Sequence, residues 1–271
     1  MTTGMDWQAQ VGRSWAENYR LTDRSFTGLT ERLLERISER RGNAVLDVGC
    51  GAGELALAVA RHRPGAQIVG VDLSDELVAV ARERGAQHGN VSFEAGDAAR
   101  WGKSGFAPEL LVSRHGVMFF DNPVAAFANL HAGAAVEAAL VFSCFRDPSE
   151  NPWATELAGL LKLPPMPDPR APGPFAFADR DHVGGILETA GWRDVGFEAV
   201  NFAYIAGKGE DPVEDALGLF RRIGPAAATL RALEGAERIR AEGWIRDWLG
   251  EHRSGDLVAF SAAAWIVTAA H

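Results

Sequence analysis

With 271 residues, 47% of them apolar and 23% charged, the chain has enough apolar surface for one large α/β domain or a domain plus a cap. Its formal charge of −9 argues against a nucleic-acid partner; the densest basic run, Arg32 to Arg41, is interleaved with Glu31, Glu35 and Glu39 and reads as a solvated helix face. Cys50 and Cys144 suggest neither a disulfide framework nor a metal cluster, so a cytoplasmic location is expected; Met1 to Trp7 shows no apolar signal region, and the longest apolar run, Leu257 to Ala270, is too short for a membrane span.

Asp6 to Tyr19 carries Trp7, Trp15 and Tyr19, which predicts a short amphipathic helix with aromatic anchors. Thr27 to Arg40 predicts a second helix, with Leu29, Leu33, Leu34 and Ile37 on one face, ended by Gly42-Asn43. Val45 to Val48 reads as a buried strand. It stops at Gly49, Gly51 and Gly53, and a helix runs from Glu54 to Arg61. Gln67 to Val71 is a second strand ending at Asp72, and Ser74 caps a helix over Glu76 to Arg84. Asn90 to Glu94 is a third strand, closed by Gly96-Asp97-Ala98. Pro108 to Ser113 is a fourth, opening onto Arg114-His115-Gly116. A helix from Pro123 to His131 and a fifth strand, Ala138 to Phe145, follow. This alternation predicts a parallel sheet with helices on both faces.

Beyond Phe145 the pattern changes. Eight of the thirteen prolines lie between Pro148 and Pro174, which predicts an ordered loop around a short helix, Trp153 to Leu161. Asp179 starts a helix over Asp181 to Ala190, and Val195 to Ile205 is a strand. Pro212 to Leu249 is helical with a break near Gly224-Pro225, and Leu257 to Thr268 is the last strand.

Three glycine-loop readings compete at Ala44 to Val59. The phosphate loop is absent, since no Lys-Ser or Lys-Thr follows the turn. The dinucleotide fingerprint needs a small residue where Glu54 stands. What is present is D-x-G-x-G-x-G with Asp47 at the strand end. An acid there suits a ligand with positive charge and no phosphate, and S-adenosylmethionine, with an ammonium and a sulfonium, fits. An unoccupied strand–turn–helix is the bland alternative.

At these residues the sequence resembles the class I S-adenosylmethionine-dependent methyltransferases. The likeness is strong over Val45 to Phe145 and is most like the small-molecule group that includes ubiquinone and menaquinone methyltransferases. It implies a Rossmann-like, doubly wound, seven-stranded and mostly parallel sheet with an antiparallel last strand. All 271 residues would form one domain: N-terminal helices over 1–43, a cofactor-binding core over 44–146, a proline-rich insert over 147–180 and a C-terminal part over 181–271 with a helical insert at 212–250. One departure is His131-Ala132-Gly133-Ala134-Ala135, where many members carry Arg-Pro-Gly-Gly.

The expected cofactor contacts start with Asp47, Gly49, Cys50, Gly51 and Gly53 around the methionine end, with Cys50 a small filler of the turn. Asp72, about twenty residues past the turn, suits the ribose hydroxyls; its alternative role as a helix cap is already taken by Ser74. From the resemblance, Leu73 packs on the adenine, Asp97 holds the adenine amino group and the Ala98 region offers a backbone N–H, although an Asp after Gly is also ordinary turn chemistry. Backbone groups at Ser113 and Arg114 would meet the methionine end. His115 is the candidate catalytic residue, as general base, or alternatively a packing histidine. No His pattern suits a metal, and none is expected. The acceptor is expected to be a small, partly apolar molecule, held by the N-terminal aromatics, the proline-rich loop and the insert with Phe220, Trp244 and Trp248. Two rivals remain: a sensor or scaffold that binds the cofactor without transfer, and a nicotinamide oxidoreductase.

Overall fold

A computed structural model describes residues 10–164, 168–224 and 226–271. Five apolar runs form the parallel strands β1 (Ala44–Val48), β2 (Gln67–Asp72), β3 (Val91–Ala95), β4 (Leu110–Arg114) and β5 (Ala139–Phe145). Two long strands, β6 (Arg193–Lys208) and β8 (Leu257–Ala270), extend the sheet, and the two-residue β7 (Arg253–Ser254) pairs with β8. The order is β3-β2-β1-β4-β5-β8-β6, with β8 antiparallel to both neighbours. β1, β4 and β5 are buried on both faces, which is why they read as continuous apolar runs. Along β6, Val200, Phe202, Tyr204 and Ala206 are buried at every second position, the mark of a strand with one covered face.

Three helices precede the sheet: α1 (Gln10–Glu17), α2 (Tyr19–Ser25) and α3 (Thr27–Ser38). The single helix expected over Asp6 to Tyr19 thus ends at Glu17, and α2 is an element the sequence reading did not foresee. Trp7 lies outside the described residues. Between the strands come α4 (Glu54–His62), α5 (Asp75–Gly85) and α6 (Pro123–Gly133). Local chemistry sets their starts. Ser74 Oγ accepts the Leu77 N–H at 3.3 Å, and Asn122 caps α6 with Pro123 in its first turn. Ala135 N–H donates to Pro108 O at 3.0 Å, so the turn before β5 forms without the Arg-Pro-Gly-Gly sequence.

α7 (Pro152–Leu160) sits in the proline-rich segment, of which residues 165–167 lie outside the described set. α8 (Arg180–Thr189) starts at Asp179, whose carboxylate accepts the Asp181 and His182 N–H groups. Between β6 and β7 the helical insert divides into α9 (Pro212–Arg222), α10 (Ala226–Ala232) and α11 (Gly235–Glu251). One buried apolar cluster runs from Phe26 to Ala269 and joins the N-terminal helices, the sheet and the insert. Among the described residues no helix is long and apolar enough to cross a membrane.

Candidate functional site

The strand order reverses between β1 and β4, so a crevice is expected beyond their carboxyl ends. The glycine turn lies there. Gly49, Gly51 and Gly53 have φ of 67°, 53° and 83°, the left-handed region that other residues enter at a cost. A Cβ on Gly49 would stand 2.8 Å from Gly116 Cα, so this turn and the loop after β4 meet backbone to backbone. Most of the turn's donors are spent on the end of β2. Gly49 and Cys50 N–H both donate to Val71 O (2.9 and 3.0 Å), Gly51 N–H to Asp72 Oδ2 (2.8 Å), and Gly53 N–H to Cys50 O (2.9 Å). The open side is at Gly51, where an added Cβ would meet nothing within 4 Å. Gly53 brings no side-chain cap, so the first-turn N–H groups of α4 lack an intrahelical acceptor. Cys50 is buried, and burial raises its thiol pKa well above the ordinary value; it fills space.

Three acids mark the strand ends. Asp47 is 1% exposed, and neither carboxylate oxygen has a hydrogen-bond partner. The Ala56 N–H in the first turn of α4 faces it, but outside hydrogen-bond geometry. Burial pushes its pKa up to about 7, against the pull of the Arg114 charge. Asp72 is also buried. It accepts Gly51 N–H on one oxygen and Ser74 N–H, at 3.0 Å, on the other, and burial outweighs these bonds to raise its pKa. Two of a carboxylate's four or so lone-pair positions are thereby used. Asp97 is half exposed; its Oδ1 accepts Ala99 N–H at 2.9 Å, and its Oδ2 lies 3.7 Å from Arg100 Nε. Leu73 is half-buried and Ala98 is buried beside these acids.

After β4 the side chains diverge. Ser113 Oγ donates to Val48 O at 2.6 Å and accepts Gly116 N–H at 3.2 Å. That hydroxyl ties β4 to β1, so any cofactor contact from Ser113 is left to its backbone. Arg114 turns toward the N-terminal helices: it pairs with Glu54 and with Asp23 (3.6 Å), donates to Thr30 Oγ1 (2.8 Å), and lies over the Phe26 ring. Arg84 grips the same Asp23 at 2.8 Å. Glu54, read from the sequence as an obstacle to pyrophosphate, is thus the partner of Arg114.

His115 has φ 61°, a strained position for a residue with a side chain. Its ring is 8% exposed and stacks on Phe145 at 4.2 Å. Burial, aided by the Arg114 charge, lowers its pKa to about 3. A group titrating there is neutral at neutral pH and a weak proton acceptor, which weighs against the general-base role and toward the packing alternative.

Cover comes from the remaining segments. Ala16 packs with Ala52 of the glycine turn and Leu77 of α5, with Trp15, Tyr19 and Val80 against them. Phe26 touches His115, Phe145, Phe202 and Tyr204, and Phe145 touches Trp153 and Phe175. These rings wall the ends of β4 and β5. From the proline-rich segment expected to line the acceptor, Trp153 and Phe175 belong to this wall. Phe220 and Trp248 form a separate cluster with Phe260, and Trp244 is 51% exposed. Phe26, Phe202 and Tyr204 were missed; the period-two burial along β6 was the available signal for the last two. Two surface clefts, of about 100 Å³ beside Trp101 and Phe106 and about 330 Å³ between α3 and α4, lie away from the strand ends.

The order of strands, the antiparallel β8 and the acids at successive strand ends define a Rossmann-like methyltransferase fold. Residues 45–134 match a methyltransferase-domain family model. The chain is 29% identical over 126 residues to a malonyl-[acyl-carrier protein] O-methyltransferase of Halalkalibacterium halodurans, covering 43% of this chain and 46% of that protein. It is 26% identical over 242 residues to a trans-aconitate 2-methyltransferase of Paracidovorax citrulli, covering 83% and 90%. The match thus spans under half the length of the first relative and nearly all of the second. The fold also resembles phosphoethanolamine N-methyltransferase 2 of Haemonchus contortus, solved with S-adenosyl-L-methionine, at TM-score 0.52 and 15% identity over 89% of this chain and 52% of that one. The matched segment, residues 45–134, is a methyltransferase domain.

Proposed function

We propose that this protein transfers a methyl group from S-adenosylmethionine to a small, partly apolar acceptor. The observation that carries the reading is Asp47, a buried carboxylate without a protein hydrogen bond, beside an open glycine turn at the reversal point of the sheet. A buried carboxylate left this way is costly until a cation or donor meets it. The cofactor's ammonium suits it, directly or through water.

Gly49, Gly51 and Gly53 allow close backbone approach, with Cys50 filling the turn. The open lone pairs of Asp72 suit ribose hydroxyls, the Asp97 oxygen that Ala99 N–H leaves open suits the adenine amino group, and Leu73 and Ala98 supply apolar edges. The backbone at Ser113 and Arg114 borders the methionine end. When bound, the cofactor supplies a methyl group already activated on a sulfonium. What the chain contributes is alignment and exclusion of water by α1, α2 and the aromatic wall. The wall of Phe26, Phe145, Trp153 and Phe175 supports a partly apolar acceptor. The two buried free cysteines support a reducing, cytoplasmic location.

Equilibrium titration with S-adenosylmethionine, S-adenosylhomocysteine and NADH tests the first half of the reading. Binding of the first two and not of NADH is expected; NADH binding alone would overturn it. An acceptor panel tests the second half, because firm cofactor binding without turnover of any member favours a sensor or scaffold.

A further inference from the structure

Like Asp47, Ser143, Arg24 and Arg146, His115 carries a buried polar atom without a hydrogen-bond partner, and among these it has the left-handed backbone. Its backbone N–H donates to Ser143 O at 3.1 Å, and its ring Nδ1 lies 3.3 Å from the same oxygen. A carbonyl oxygen only accepts, so Nδ1 carries the ring proton and Nε2 holds a bare lone pair. Nε2 is buried and has no partner. An unsatisfied buried acceptor costs about 1–3 kcal/mol. The left-handed φ of 61° adds backbone strain at the same residue, and such strain concentrates at working sites.

The surroundings define what can satisfy that lone pair. Phe145 stacks on the imidazole, and Phe26 meets its edge at 5.1 Å. Trp153 and Tyr204, stacked at 4.9 Å, extend the wall. Each guanidinium near it faces a carboxylate: Arg114 pairs with Glu54 and Asp23, Arg146 with Glu150, and Arg24 with Asp215, although Nε of Arg24 and of Arg146 is buried without a partner. A bare lone pair repels a carboxylate, and the charge of each of these cations is already balanced by an acid of the protein. We infer that His115 Nε2 recognises the methyl acceptor by taking a hydrogen bond from its hydroxyl or N–H, and that the acceptor is otherwise apolar, ring-bearing and uncharged. The inference rests on the methyltransferase reading above. It separates this chain from the two acid-named relatives, trans-aconitate and malonyl-[acyl-carrier protein] methyltransferases.

The test uses the full chain saturated with S-adenosylhomocysteine and three matched probes: 4-propylphenol, 4-propylanisole and 4-propylbenzoate. Calorimetry is expected to show the phenol binding at least fivefold more tightly than the ether or the carboxylate. In His115→Phe that preference is expected to fall below twofold. Nitrogen-15 spectra of the wild type, independent of whether the variant folds, are expected to show a protonated Nδ1 and a bare Nε2 whose resonance moves on adding the phenol. Equal binding of the three probes, preference for the benzoate, no binding of the phenol, or a protonated Nε2 in the free protein each overturns the inference. Failure of the wild type to bind S-adenosylhomocysteine overturns the underlying reading instead.

Discussion

The glycine turn and the aromatic wall stand on either side of the Arg114-His115 dipeptide and are built in opposite ways. The turn is one continuous stretch whose N–H groups are held by Val71, Asp72 and Cys50. The wall is gathered from the α2–α3 junction, β5, α7, the proline-rich segment and β6, and what binds it is ring packing. Backbone geometry fixes the first, and a single added carbon is enough to break it. Side-chain volume fixes the second, which can be reshaped while the sheet stays intact.

Five changes test that contrast, from the largest effect to the smallest. Gly49→Ala places a Cβ 2.8 Å from Gly116 Cα at φ 67°; a stability loss of about 3 kcal/mol is expected in urea denaturation, with cofactor binding lost alongside. Asp72→Ala removes the acceptor for the Gly51 and Ser74 N–H groups, and calorimetry should show S-adenosylmethionine affinity falling at least tenfold, about 1.4 kcal/mol. Unchanged affinity would remove the ribose role. Phe145→Leu trims the wall at about 1 kcal/mol of stability. It should raise the acceptor KM several-fold and leave cofactor affinity within twofold. If both change together, the two regions are not separable.

The fourth test is pH. Folded Asp47 titrates near 7 against an ordinary 3.8, so it keeps a proton the unfolded chain has released. Its contribution to stability is full below pH 3.8 and is lost as pH rises through 7. Folded His115 titrates near 3 against 6.5, so its contribution is full above pH 6.5 and is lost as pH falls through 3. The two oppose each other between about pH 4 and 6.5. Urea midpoints for Asp47→Asn should therefore rise more steeply with pH in this window than wild type, and those for His115→Asn should fall. Parallel curves for all three proteins would contradict the burial of both groups. Last, Trp244→Ser changes a half-exposed ring outside the wall, and its unfolding midpoint should shift by less than about 0.5 kcal/mol.

These regions were unequally legible in the sequence. Asp47 and the three glycines sit within seven residues, and the strand ends at Asp72 and Asp97 follow from the alternation of runs. Capping chemistry located helix starts at Ser74, Pro123 and Asp179. The α2 helix was missed because Tyr19 to Ser25 has no strong apolar period, and packing holds it. The partners of Arg114 were unreadable for a different reason: Asp23, Thr30 and Glu54 reach it from separate elements, and nothing in local pattern encodes that meeting. His115 was visible as a residue, but its protonation depends on burial beneath Phe26 and Phe145, which only the fold creates.

Phe26 closes α2 and opens α3 at once, its N–H donating to Thr22 O and its carbonyl accepting Thr30 N–H. The same residue touches four members of the aromatic wall and lies under Arg114, whose other partners include Asp23 on α2. The helices beside the glycine turn and the aromatic wall are therefore joined through one corner of the chain. In the reaction proposed above, displacing that corner would wet donor and acceptor together, so keeping both dry would be one mechanical event and not two.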